Sequence, residues 1–213
     1  MSADRQGIPV GLGFRAGRGG SVIVAVAVDA GEPRIVLCSF LATGAEGDRL
    51  SLEPYRVVAE MERGPDGGVP VGAPAAIAEG RRRQGQLAVQ GLKDIAGKVR
   101  QAGCGPVVAA LLVNRTGWIT DALEYSLLWP EHVPVAEGLA VRDALRFAIG
   151  ECGIDVEEMD EKSLHEVAST QLRLSGSDID ARLKAMGGTV GVPWRREQKL
   201  ACLSAWMALG ARL

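Results

Sequence analysis

Ser21-Val22-Ile23-Val24-Ala25-Val26-Ala27-Val28-Asp29 is the stretch that decides the architecture of this chain. Valines 22, 24, 26 and 28 alternate with Ile23, Ala25 and Ala27, so a strand through it carries apolar side chains on both faces. β-Branched residues favour the extended backbone, and a strand apolar on both sides must be covered on both sides. The stretch therefore predicts a layered α/β protein rather than a sheet with one wet face.

Working outward, Ile8 to Arg15 and Arg34 to Leu41 read as flanking strands. They are joined to the central one through Gly17-Arg18-Gly19-Gly20 and Gly31-Glu32-Pro33. Links this short connect antiparallel neighbours, which makes a three-strand meander. Residues 43 to 73 are rich in glycine and proline and predict a loop insertion with one strand, Tyr55 to Met61.

From Ala75 to Ala102 the period becomes helical, with Ala88, Leu92, Ile95 and Val99 on one stripe and Gly103 as a left-handed cap. A strand from Pro106 to Val113, a helix from Thr120 to Leu128 and a strand from His132 to Ala136 follow. The next helix, Leu139 to Cys152, buries Val141, Ala144, Leu145, Ala148 and Ile149, and leads into a short strand, Ile154 to Glu157. Ser163-Leu164-His165-Glu166 has the spacing of a capping box. Ser177-Asp178-Ile179-Asp180 opens a further helix that Gly187 ends, and a last one begins near Pro193.

A meander, a long helix, and then strands alternating with helices give a mixed sheet flanked by helices: an α/β chain in the order of the ribonuclease-H-like fold. A doubly wound nucleotide-binding sheet would begin strand, helix, strand. For that reason Gly11-Leu12-Gly13-Phe14-Arg15-Ala16, which matches the dinucleotide pattern, reads as structural glycines. No helix N-terminus follows it to face a pyrophosphate.

Composition narrows the function. A chain of 213 residues predicts one domain, residues 1 to 213, with the insertion at about 43 to 73. A net charge of −2 gives no field for coating a polyanion, and no apolar run approaches the roughly 20 residues that cross a bilayer. The opening residues carry no signal-peptide pattern, so the expected location is the cytoplasm, away from membranes. Cys38, Cys104, Cys152 and Cys202 are too far apart in sequence to form a Cys-x-x-Cys pair, and His132 and His165 share no metal-binding spacing. Arg81-Arg82-Arg83 reads as a solvated helix face, and Trp118, Tyr125 and Trp129 as core or interface.

In a ribonuclease-H-like sheet the reactive edge lies at the C-terminal ends of the first, fourth and fifth strands. That places Arg15, Asn114, Arg115, Glu137, Arg142 and Asp143 on one rim, with Glu197, Gln198 and Lys199 from the last helix beside them. Such a mixture suits an anionic partner, nucleic acid being one candidate, better than a bare two-metal site. No metal ligand is assigned and no cofactor is specified.

The chain also resembles a family of uncharacterised bacterial proteins with a ribonuclease-H-like fold. The likeness is carried by Pro106-Val107-Val108-Ala109-Ala110-Leu111-Leu112-Val113, by Ala136-Glu137-Gly138 with Arg142-Asp143-Ala144-Leu145, and by Pro193-Trp194 with Gln198-Lys199 and Ala205-Trp206. It departs from that family at Pro54-Tyr55-Arg56, where Pro-Tyr-His is expected. The wider superfamily implies two-metal phosphodiester cleavage of the Holliday-junction-resolvase type, which needs an aspartate in the first strand. Ile8 to Arg15 has none. Two alternatives stay open: a metal-dependent nuclease drawing on Asp29, Glu137, Asp143 and Glu197, and an actin-like ATP-binding unit using Gly17-Arg18-Gly19-Gly20-Ser21.

Overall fold

A computed structural model describes residues 7–64, 66–114, 117–191 and 193–212. The meander forms as β1 (Ile8–Gly17), β2 (Gly20–Asp29) and β3 (Glu32–Ala42), all antiparallel. Strands β4 (Cys104–Val113) and β5 (Asp155–Asp160) then add in parallel beside β1, giving the order β3-β2-β1-β4-β5. Arg15 pairs with Val22 on one side and Leu112 on the other, and Val113 pairs with Asp160. The C-terminal ends of β1, β4 and β5 thus share one edge of the sheet. Asp29, at the far end of β2, lies at the opposite edge.

Both faces are covered, as the alternation in β2 requires. Ile23, Ala25 and Ala27 join Leu12, Phe14 and Leu111 under α3 (Ala73–Gln101) and α5 (Val133–Glu151). Val24 and Val26 face α6 (Leu164–Leu172), α7 (Gly176–Val190) and α8 (Arg196–Gly210). Every residue of α8 from Leu200 to Leu209 is buried, because the helix runs between the sheet and its neighbours. Gly103, at φ 76°, turns the chain from α3 into β4, a conformation in which other residues are strained.

The segment read as a glycine-rich insertion holds two short helices, α1 (Arg49–Leu52) and α2 (Pro54–Ala59), in place of the expected strand from Tyr55 to Met61. Pro54 occupies the first turn, and Tyr55 and Val58, three apart, bury one face against Ile77, Val133 and Ala136. The expected strand from His132 to Ala136 is absent too. A single 3₁₀ turn, Pro130–His132, runs into α5, with Pro134 in its first turn and Val133, Ala136 and Ala140 buried together. A four-residue apolar run fits either geometry, and the partners across the interface chose the helix.

Smaller corrections concern caps. The α4 helix (Ala122–Leu128) is held by the Asp121 carboxylate, which accepts from the N–H groups of Leu123 and Glu124 at 2.8 and 2.9 Å. Ser163 stands at the start of α6 without a side-chain cap bond. Ser175, rather than Ser177, caps α7. Gly187 lies inside α7, beneath the Trp194 indole. Among the described residues no helix is long and apolar enough to cross a membrane.

Candidate functional site

Where β1 turns into β2, the hairpin residues Arg15 to Gly19 form one wall of a cleft of about 470 Å³. The second wall is the start of α5, with Val133, Glu137, Val141 and Arg142 at the spacing of successive turns. Leu52, Glu53 and Arg56, from α1 and α2, close the third side. Four arginines, Arg15, Arg18, Arg56 and Arg142, therefore line the cleft with two glutamates, Glu53 and Glu137, among apolar residues such as Leu52, Val133 and Val141.

The charges are unevenly matched. Arg18 pairs with Glu53 at 3.3 Å. Arg15 turns toward the end of β5, where its Nε and Nη2 reach the two Glu161 oxygens at 3.2 and 3.3 Å, with Glu197 at 3.9 Å. The Arg142 Nε is buried and has no hydrogen-bond partner. Burial pulls the Arg142 pKa down, and the nearby Arg146 and Arg15 pull the same way against Glu161 and Asp143.

Glu137 is divided between two environments. Its Oε1 accepts the backbone N–H of Arg56 at 2.9 Å, while its Oε2 is buried without a partner. Burial pushes its pKa up to about 7, overriding the N–H groups of Arg56 and Tyr55 that favour the carboxylate. Two α5 side chains that line one cleft thus carry an orphaned donor and an orphaned carboxyl oxygen.

The remaining sequence candidates go elsewhere, so the single rim expected for Glu137, Asp143 and Lys199 is not formed. Asp143 pairs with Arg81 of α3 and with Arg146, and lines a separate hollow beside Phe147. Gln198 accepts the Arg195 N–H at 3.0 Å and caps α8. Lys199 lines a third cleft with Glu161, Lys162 and His165. Asn114 follows β4 on the shared edge, and Arg115 lies outside the described residues. Asp143, next to Arg142 on α5, is drawn toward α3 by Arg81. Arg18, Glu53 and Arg56 were missed, although the Pro54-Tyr55-Arg56 departure had marked one of them.

No protein-family model and no curated protein matches the chain. Among solved structures it is similar to Thermus thermophilus RuvC, at 13% identity and a TM-score of 0.50, over 95% of each chain. It is similar also to T. thermophilus RuvC in complex with a Holliday junction substrate, at 10% identity and a TM-score of 0.52, over 95% of this chain and 94% of that one. The fold is ribonuclease-H-like.

A ribonuclease-H-like nuclease of the two-metal kind implies divalent cations held by an acid on the first strand. Here the β1 positions facing α8 are Gly11 and Gly13, and α8 lies directly on them. A Cβ on either would collide with the carbonyl oxygen of Ala205 or of Ala201. The next residue on that side is Arg15, a cation already paired with Glu161. No group of three or more His, Cys, Asp or Glu among the described residues is placed to hold a metal ion. This donor set does not fit a pair of divalent cations, and Asp29 stands at the wrong end of the sheet to add to it.

Proposed function

We propose that this ribonuclease-H-like protein is a binding protein without a standard two-metal site, and that the arginine cleft holds an anionic partner, with nucleic acid the favoured one. The observation that carries the reading is the Arg142 Nε, buried and unpartnered on a side chain of the α5 wall, with Arg15 and Arg18 on the hairpin wall and Arg56 on the third side. A buried guanidinium N–H without an acceptor is costly, and a phosphate oxygen supplies an acceptor that is also charged. The structural neighbour determined with a Holliday junction substrate makes branched DNA the first ligand to try.

Fluorescence anisotropy with a four-way junction and with duplex DNA tests this across a salt titration. Binding weakens as salt rises, because phosphate contacts release counter-ions. Arg142→Ala weakens it by roughly tenfold to a hundredfold, the worth of a charged hydrogen bond, and Mg²⁺ or Mn²⁺ produces no cleavage. Unchanged affinity in Arg142→Ala removes the cleft from consideration. Metal-dependent cleavage that is lost in Asp143→Asn restores the nuclease reading.

A nucleotide is the second reading, favoured by the Gly17–Gly19 hairpin lining the same cleft. A rise in melting temperature with ATP and magnesium supports it.

A further inference from the structure

Two α5 side chains that line the arginine cleft each bury a polar atom without a partner, the Glu137 Oε2 and the Arg142 Nε. Left unmade, each such bond leaves its group desolvated without return. The Arg142 Nε can only donate, so the ligand atom that satisfies it is an acceptor. An anionic acceptor brought beside Glu137 is repelled by a carboxylate but accepts a hydrogen bond from a carboxylic acid. A fully ionised ligand group, with no proton of its own to give, satisfies both orphans only when Glu137 carries a proton.

We infer that the cleft takes its anion together with a proton, a phosphate oxygen being held between the Arg142 Nε–H and the protonated Glu137 Oε2–H. This rests on the reading of the arginine cleft given above and adds the group that reads the ligand. Glu137 is already prepared for the role, since burial pushes its pKa up to about 7, and a bound anion acts in the same direction.

The other charged groups around it are engaged or of the wrong kind. On α5 itself, Asp143 is turned to Arg81 and Arg146. From α2 and the residue before it come Arg56, a permanent cation, and Glu53, paired with Arg18 and Arg49. From the end of β1 comes Arg15, held by Glu161. Ahead of α5, the His132 Nδ1 is hydrogen-bonded to the Tyr125 carbonyl, and Asp121 caps α4. Among the described residues, Glu137 is the sole carboxyl group with a buried oxygen left unpartnered.

The test measures binding of a short oligothymidylate, whose phosphodiesters keep their charge, at about pH 6 and about pH 8. If only the protonated site binds, the parent Kd rises roughly tenfold between them, in proportion to the fraction of competent protein. Glu137→Gln carries a permanent N–H donor in place of Oε2 and retains an oxygen for the Arg56 N–H. It therefore binds at pH 8 as tightly as the parent does at pH 6, without pH dependence. A pH dependence that survives in Glu137→Gln overturns the inference. So does a pH-independent parent whose binding is still salt-dependent and lost in Arg142→Ala, an outcome that leaves the cleft reading standing. No binding by any of these proteins at either pH overturns both.

Discussion

Gly13 of β1 lies directly beneath Ala201 of α8, so close that a Cβ on Gly13 would run into the Ala201 carbonyl oxygen and the Ser204 Oγ. Gly11 stands in the same relation to Ala205, one turn further along the helix. Strand backbone and helix backbone pack without a side chain between them, which gives α8 its central, fully buried position. It also fills the place that an acid on the first strand would need.

Gly13→Asp, which installs that acid, is therefore expected to unfold the protein rather than create a metal site. Overpacking and a buried unpaired carboxylate act together, and the loss is about 3 kcal/mol or more. Urea denaturation measures it. A folded Gly13→Asp protein with parent-like stability contradicts the packing described.

Glu161 anchors the shared edge of the sheet. Its side chain is 14% exposed and faces Arg15 at 3.2 Å and Arg196 at 3.5 Å. Glu161→Gln keeps the shape and removes the charge, leaving Arg15 half-buried with only the more distant Glu197. A loss of about 1–2 kcal/mol in urea unfolding is expected, between that of an exposed pair and that of a fully buried one.

The raised Glu137 pKa makes stability fall with pH. The folded protein holds this proton up to about 7, against an ordinary value of 4.5, so it binds more protons than the unfolded chain between these limits. The contribution is complete below about pH 4.5 and is lost as the pH rises through 7. Glu137→Gln mimics the protonated form, so its stability relative to the parent improves by about 1–3 kcal/mol between pH 4 and pH 8. Urea curves at the two pH values measure the difference, and parallel behaviour of the two proteins counts against the buried carboxyl.

Gly187 sits under Trp194, whose Nε1–H donates to the Leu183 carbonyl at 3.0 Å. Alanine is the better helix former by about 1 kcal/mol. At this position its methyl displaces the indole, and the lost hydrogen bond and packing cost about 2–3 kcal/mol. Gly187→Ala is expected to be less stable on balance, with tryptophan emission shifted to the red. A stabilised variant shows that the indole moves freely.

The layers and the antiparallel meander were legible in the sequence because their signals are local. Alternation in Ser21 to Asp29 specifies two covered faces, and glycine-containing links between β1, β2 and β3 leave no room for a crossover. The stripe through Ala88, Leu92, Ile95 and Val99 appears in the structure as one buried side of α3. The error at His132 to Ala136 had a matching cause: a four-residue apolar run that includes Pro134 satisfies a strand or a helix start equally.

The candidate site was legible only in part. Arg15, Glu137 and Arg142 do line one cleft, whereas Asp143, Gln198 and Lys199 are drawn to Arg81, the α8 cap and another hollow. Nothing local in the sequence distinguishes these two groups. Which way a polar side chain turns depends on the helix beneath it and on the opposite charge nearest to it.

By itself, the sequence determined that this chain builds a mixed sheet buried between two helical layers, since hydrophobic period and turn length act between neighbours along the chain. Only the tertiary structure decided that α8 closes over Gly11 and Gly13, and that Glu137 and Arg142, both lining one cleft, each bury an unsatisfied atom. Those are contacts and desolvation between segments distant in sequence, and they exist only once the layers have packed.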